Sequence, residues 1–133
     1  MTFKERKAMV KSAAAMQGEV CPVCGFGNFC KECERGKLPN LSHEHEYKTL
    51  NTFDHNHRCC KDGCEKCFRG ALHSWCNRRI LPVWEAYFNR FGFVEALSPE
   101  DRKFLIELNP GWGKFGYIER FNEVREYLMR RKP

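Results

Sequence analysis

The chain has 133 residues, a formal net charge of +6 and nine cysteines, which fits one small domain. No secretory apolar segment opens it and no apolar run approaches the length of a membrane span, so we expect a cytoplasmic protein with no membrane partner. Because intracellular chains rarely keep disulfides, cysteines in Cys-x-x-Cys pairs indicate metal binding.

The positive charge is unevenly distributed. Residues 1–17, 54–80 and 111–133 each carry +3, whereas residues 18–53 and 81–110 carry −1 and −2. A polyanion such as nucleic acid is the partner that this distribution favours, because each neutralised phosphate releases counterions. Ordinary solubility charge is the alternative.

The first predicted element is a helix from Thr2 to about Gln17, so residues 1–19 form an N-terminal helical segment. Thr2 and Glu5 have the spacing of a capping box, and Gly18 ends the helix. Cys21 and Cys24 follow on a tight turn as a zinc knuckle, which is half of a tetrahedral site. A redox pair is the alternative, but the residues after Cys24 do not begin a helix.

A polar loop follows, and whether its Cys30 and Cys33 bind metal stays open. A β-hairpin is then predicted, with strands at residues 51–58 and 68–72 and a turn at Asp62-Gly63. The hairpin tip carries four cysteines that predict a second metal site, although adjacent Cys59 and Cys60 seldom bind the same ion. Cys30 or Cys33 is therefore the alternative fourth ligand. The set is Cys59, Cys60, Cys64 and Cys67.

His73 and Cys76 have knuckle spacing after the second strand and complete a zinc site with Cys21 and Cys24. A helix then starts near Asn77, with Pro82 expected to end or kink it. Residues 83–133 are predicted to be helical, with an aromatic core stripe over residues 83–91, a helix from Ser98 to about Leu108, and a last helix from about Lys114.

Asp54, His55, His57 and Asn77 form the candidate catalytic set. On a strand, His55 and His57 share one face and Asp54 takes the other. One carboxylate from Asp54 and one amide oxygen from Asn77 suit a hard ion such as Mg²⁺ or Mn²⁺. A neutral His55 could accept a proton from an attacking water, and His57 could donate to a phosphate. Zinc ligation by both histidines is the alternative for this motif.

Three motifs occur in order: Cys21-x-x-Cys24-Gly25, Asp54-His55-x-His57, and Arg69-Gly70-x-Leu72-His73-x-x-Cys76-Asn77. Over about residues 20–80 they resemble the phage recombination endonuclease VII family of His-Me finger (ββα-metal, HNH-like) nucleases. His73 replaces the more usual cysteine of that family.

The resemblance implies an α+β fold with a zinc-stapled ββα-metal core at residues 20–82 and flanking helices at both ends. It further implies a metal-dependent DNA endonuclease that acts as a homodimer on branched DNA such as four-way junctions. Asp54 and Asn77 would hold the catalytic ion, His55 would be the general base, and His57 would contact the scissile phosphate.

Two other functions compete with this one. The first is a zinc-stapled nucleic-acid-binding module without catalysis, and the second is an HNH nicking or homing nuclease that cuts ordinary duplex DNA. In each case, four arginines near the core are the candidate DNA contacts. They are Arg58, Arg69, Arg78 and Arg79.

Overall fold

The computed structural model describes residues 1–25, 27, 29–30, 47–48, 50 and 52–130. Its helices are α1 (Phe3–Met16), α2 (Leu81–Phe91), α3 (Pro99–Leu108), α4 (Pro110–Phe115) and α5 (Phe121–Met129). Its strands are β1 (Phe29–Cys30), β2 (Tyr47–Lys48), β3 (Thr52–His55) and β4 (Phe68–Leu72). The helices are combined with two small antiparallel pairs, β1 with β2 and β3 with β4, which confirms the α+β class. Cys33 and the side chain of Cys30 lie outside the described residues.

Helix α1 begins with the predicted capping box. The backbone N–H of Glu5 donates to Thr2 Oγ1 at 3.1 Å, and Thr2 N–H donates to Glu5 Oε1 at 3.2 Å. The chain leaves the helix at Gly18, whose φ of +67° suits glycine. The helix packs against β3 and β4 and buries Val10 and Ala14.

The hairpin of β3 and β4 contains a bulge. Asp54 pairs with Gly70, but His55 pairs with Phe68, so Arg69 is the extra residue on β4. The outer edge of β4 is covered by the side chain of Gln17, which donates to the carbonyl of Ala71 at 2.9 Å and accepts from its N–H at 3.0 Å. Gln17 therefore pairs with this strand edge as a third strand would.

The helix after β4 changes type just before Pro82, so the proline lies where one helical segment ends and the next begins. Residues Cys76–Ile80 form a π-helical segment, closed by a hydrogen bond from the N–H of Leu81 to the carbonyl of Cys76, and α2 follows directly. Pro82 lies in the first turn of α2, where it needs no N–H partner. The wider π turn places Cys76 and α2 on one continuous helical path.

The single last helix predicted from about Lys114 is wrong. Helix α4 ends before Gly116, which has a φ of +76°, and a short 3₁₀ turn (Ile118–Arg120) leads into α5. The left-handed conformation of Gly116 ends α4, as is common at helix C-termini, and α5 beyond it packs against α2.

The hydrophobic core includes side chains from all three predicted segments, from Val10 on α1 to Leu128 on α5. Its centre is Trp84, which is fully buried and lies 5.1 Å from the ring of Trp112 between ring centroids. The aromatic stripe of α2 is core as predicted, except that Phe91 is 44% exposed. Among the described residues, none of the helices has the length and apolarity needed to cross a membrane.

Candidate functional site

The first cysteine–histidine cluster joins three parts of the chain. Cys21 and Cys24 come from the turn after α1, His73 from the end of β4, and Cys76 from the start of the π segment. Their donor atoms all lie within 4.8 Å of one another, and all four side chains are buried. The structure thus brings the predicted set together.

The chemistry of this donor set fits Zn²⁺. Burial alone would raise the pKa of Cys21, but hydrogen bonds with Cys24, Cys76 and His73 lower it well below its usual range. Hydrogen bonds with Cys21 and Cys24 raise the pKa of the Cys76 thiol, because neighbouring thiols this close cannot all ionise. A divalent cation between them removes that repulsion, and three thiolates with one imidazole are a common structural zinc set.

The second cluster lies at the hairpin tip. Sγ of Cys60 is 3.6 Å from Sγ of Cys67, which is also 3.6 Å from Sγ of Cys64. Cys59 completes the set, with its Sγ 3.8 Å from that of Cys64, and the four donors lie within 4.8 Å of one another. All four tip cysteines therefore come together, and two clusters compatible with zinc are present in the described part of the chain.

The thiols of this tip cluster differ in acidity. A backbone hydrogen bond from Cys67 and contact with its side chain lower the pKa of Cys64 to about 7. Contact with Cys64, and then with Cys67, raises the pKa of Cys59 to about 12. Cys64 is therefore ionised in part near neutral pH, which favours capture of a soft or borderline cation.

His55 is the last residue of β3 and His57 lies on the turn that follows, so the strand predicted over residues 51–58 ends earlier than expected. The ring centroids of the two histidines are 4.3 Å apart, with an interplanar angle of 53°. His55 is only 6% exposed, whereas His57 is open to solvent. Burial lowers the pKa of His55, and the neighbouring His57 lowers it further, so the His55 imidazole is neutral near pH 7.

Asp54 has partners that differ from the prediction. Its Oδ2 accepts from Arg69 Nε at 2.8 Å and from the Tyr127 hydroxyl at 2.6 Å, and its Oδ1 accepts from Arg69 Nη2 at 3.1 Å. The side chain is 1% exposed. Because both carboxylate oxygens are already used inside the core, the residues present do not fit a hard ion shared by Asp54 and Asn77.

Asn77 directly follows Cys76 of the first cluster and is half-buried. Its backbone N–H donates to the carbonyl of His73 at 3.0 Å. In the part of the chain that is described, no hydrogen bond joins Asn77 to Asp54, whose partners are Arg69 and Tyr127. The predicted catalytic set is therefore divided: the histidines are together, and Asp54 faces the core.

Arg69 also differs from its prediction as a DNA contact. Its guanidinium binds Asp54, donates to the carbonyl of His55 at 3.0 Å, and donates to Glu85 on α2 at 3.1 Å. With 8% exposure, Arg69 ties the hairpin to α2. Sequence reasoning missed Glu85 and Tyr127, because no local pattern connects residues so far apart along the chain.

The other three predicted arginines are exposed. Arg58 lies beside His57 in a cleft of about 240 Å³, which is also lined by Asn89. Arg78 and Arg79 lie on the π segment, and the guanidinium of Arg79 stacks 5.1 Å from the ring centroid of Trp75. Trp75, 43% exposed, is a further candidate DNA contact that sequence reasoning missed. Its signal is an aromatic residue one position before a cysteine of the predicted zinc set.

Comparison of the chain with family models, with curated proteins and with solved structures found no match.

Proposed function

We propose that this protein is an endodeoxyribonuclease of the His-Me finger type, similar to endonuclease VII, and that branched DNA is its preferred substrate. The observation that carries the proposal is the pair of His55 and His57, with ring centroids 4.3 Å apart on an antiparallel hairpin. The returning strand of that hairpin leads through a zinc-compatible cluster straight into a helix, which is the order of elements in a ββα core.

The proposed reaction is hydrolysis of a phosphodiester. His55 accepts a proton from water, the water oxygen bonds to phosphorus, and the bond from phosphorus to the leaving sugar oxygen breaks. The leaving oxygen takes up a proton from solvent, and His55 then releases its proton to solvent. His57 is exposed beside it and donates to the phosphate. Arg58, exposed on the same turn, supplies positive charge to the DNA backbone.

Asp54 departs from the role that the resemblance gives it. Mg²⁺ or Mn²⁺ would supply charge neutralisation at the phosphate, but Asp54 is held by Arg69 and Tyr127 and does not fit as its ligand. Whether cleavage needs Mg²⁺ or Mn²⁺ is measured by adding each ion to zinc-loaded protein.

The test compares wild type with His55→Ala on a four-way junction, a linear duplex and a single-stranded RNA. We expect the variant to lose cleavage while it retains DNA binding and zinc content. Lys61→Ala, exposed on the same hairpin, is the matched control and should cleave normally. Full cleavage by His55→Ala would contradict the mechanism, and a preference for linear duplex would indicate a nicking or homing nuclease.

A non-catalytic zinc-stapled DNA-binding module is the second candidate function. The buried ion pair of Asp54 with Arg69 favours it, because this pair occupies the carboxylate that a nuclease of this type would need. This candidate predicts that wild type binds DNA without cutting any of the three substrates.

A homodimer is also part of the proposed endonuclease function, and the mass of the protein in solution tests it.

A further inference from the structure

The tip cluster is in contact with His55. Sγ of Cys67 lies 3.6 Å from Nδ1 of His55, and the two side chains are 2% and 6% exposed. The backbone is joined at the same point, because the N–H of Asn56 donates to the carbonyl of Cys67 at 2.9 Å. The last cysteine of the cluster therefore lies directly behind the imidazole ring.

The turn at the tip also closes over this ring. Gly63 has a φ of +88°, and a Cβ at this position would lie 3.1 Å from the His55 ring and 2.6 Å from Phe53. The ring of His57 lies on another side, with its centroid 4.3 Å away. His55 is therefore held by the tip itself, so the shape of the tip decides its orientation.

The protonation of the ring follows from the chemistry of its neighbour. A cysteine that binds a metal ion does so as a thiolate, which has no proton to donate. A nitrogen that bonds to that sulfur must therefore carry the hydrogen, and in a neutral imidazole the other nitrogen is then an acceptor. Partners of this kind behind a histidine commonly fix its tautomer.

We propose that Zn²⁺ bound by the four tip cysteines makes Cys67 a positioning residue, which accepts from Nδ1–H of His55 and leaves Nε2 as the free acceptor. Only the assignment of Nε2 to base catalysis rests on the proposed function. The bound zinc and the tautomer can be established without any substrate.

The burial of the four tip cysteines distinguishes this positioning role from that of a purely structural zinc site. Cys59 is exposed and Cys60 and Cys64 are half-buried, whereas Cys67 alone of the four is buried, and it is the one that contacts His55. The first cluster already joins α1, β4 and α2 inside the core. A second, purely structural zinc site at the surface would not require contact with His55.

The test is an NMR measurement of the histidine side chains in uniformly ¹⁵N-labelled, zinc-loaded protein. His55→Gln assigns the His55 signals. We expect two zinc ions per chain and the pattern of the Nδ1–H tautomer for His55. Substitution of ¹¹³Cd for zinc should add a coupling between the metal and the His55 ring proton, transmitted through the sulfur of Cys67.

Cys67→Ser should lose the fixed tautomer, whereas Lys66→Ala, which leaves the cluster intact, should retain it. With a junction substrate, Cys67→Ser should lower kcat by roughly 10–100-fold, with KM nearly unchanged. An Nε2–H tautomer in zinc-loaded wild type, or one zinc per chain, would overturn the inference, and both are read on wild type even where Cys67→Ser does not fold. The expected tautomer in a protein that cuts no DNA would sustain the inference and reject the proposed function.

Discussion

The hydroxyl of Tyr127 donates a 2.6 Å hydrogen bond to Oδ2 of Asp54, and the two residues are 73 positions apart in the chain. The same carboxylate forms an ion pair with Arg69, which also reaches Glu85. The network therefore connects the hairpin to α2 and α5. Burial and the charge on Asp54 raise the pKa of Tyr127 well above its usual value, so the hydroxyl remains a donor.

We expect Asp54→Asn to destabilise the protein by about 3–5 kcal/mol, because it leaves the guanidinium of Arg69 buried without its main counter-charge. The side chains of Asp54 and Arg69 are only 1% and 4% exposed, so water cannot replace the lost partner. The free energy of unfolding of zinc-loaded protein, measured in denaturant, gives the difference.

Tyr127→Phe is the matched control for this network. It removes one hydrogen bond to a charged group and keeps the ring, so the expected loss is smaller, about 1.5–3 kcal/mol. If Asp54→Asn instead unfolds at the same denaturant concentration as wild type but cuts no DNA, the ion pair with Arg69 contributes little to stability. Asp54 would then belong to the catalytic centre.

Loss of one ligand from each cysteine cluster should affect folding differently. Cys21→Ser in the buried cluster should unfold the domain, because a structural zinc site contributes on the order of 10 kcal/mol to folding. Cys59→Ser, at the exposed end of the tip, should leave the helices folded and reduce the zinc content from two ions to one. Elemental analysis with far-ultraviolet circular dichroism measures both effects.

The zinc content of Cys59→Ser and of wild type also tests which residues bind the second ion. Two zinc ions retained by Cys59→Ser would mean that the fourth ligand comes from elsewhere, as the sequence allowed with Cys30 or Cys33. One zinc in wild type would remove the tip site altogether.

The two cysteine clusters compatible with zinc could be predicted from the sequence because their members come in pairs at local spacing. Cys21 and Cys24 lie on one turn, and His73 and Cys76 have the same spacing, so only the meeting of two pairs had to be inferred. His55 and His57 are close as expected, with ring centroids 4.3 Å apart, but strand alternation is not the reason, because the strand ends at His55 and His57 lies on the following turn. The capping box of α1 is local as well.

The surroundings of Asp54 could not be predicted in this way. Its partners Arg69 and Tyr127 are brought to it by a bulge in β4 and by the packing of α5, and neither leaves a local pattern. The path of the last helices depends on the left-handed conformation of Gly116, and a glycine is compatible with several conformations. Contacts between residues far apart in the sequence therefore determine the partners of Asp54 and the path of the last helices.

The exposed arginines of the π segment should contribute to DNA binding through phosphates. Replacing both Arg78 and Arg79 by alanine should weaken binding to all DNA sequences alike and reduce the slope of log affinity against log salt by roughly 2. Fluorescence anisotropy at several salt concentrations measures the slope. Arg102→Ala with Lys103→Ala removes equal charge from exposed positions of α3 and should change the slope little. Equal effects of the two pairs would indicate general attraction by net charge.

Tyr87 should make stability depend on pH in alkaline solution. Its hydroxyl donates to Asp101 Oδ2 at 3.2 Å, and burial, followed by the charge on Asp101, raises the pKa of Tyr87 to about 12 from an ordinary value of 10.0. Since the folded state holds this proton more tightly than the unfolded state, the contribution is complete below about pH 10. It is lost as the pH rises through about 12.

The difference in free energy of unfolding between wild type and Tyr87→Phe isolates this effect, because both proteins retain the other titrating groups, including Tyr127. We expect the advantage of wild type to shrink by an amount on the order of 2 kcal/mol between about pH 10 and about pH 12. Urea unfolding at several pH values measures the difference. A constant difference over this range would show that Tyr87 titrates at its ordinary pKa, and that neither its burial nor Asp101 holds the proton in the folded protein.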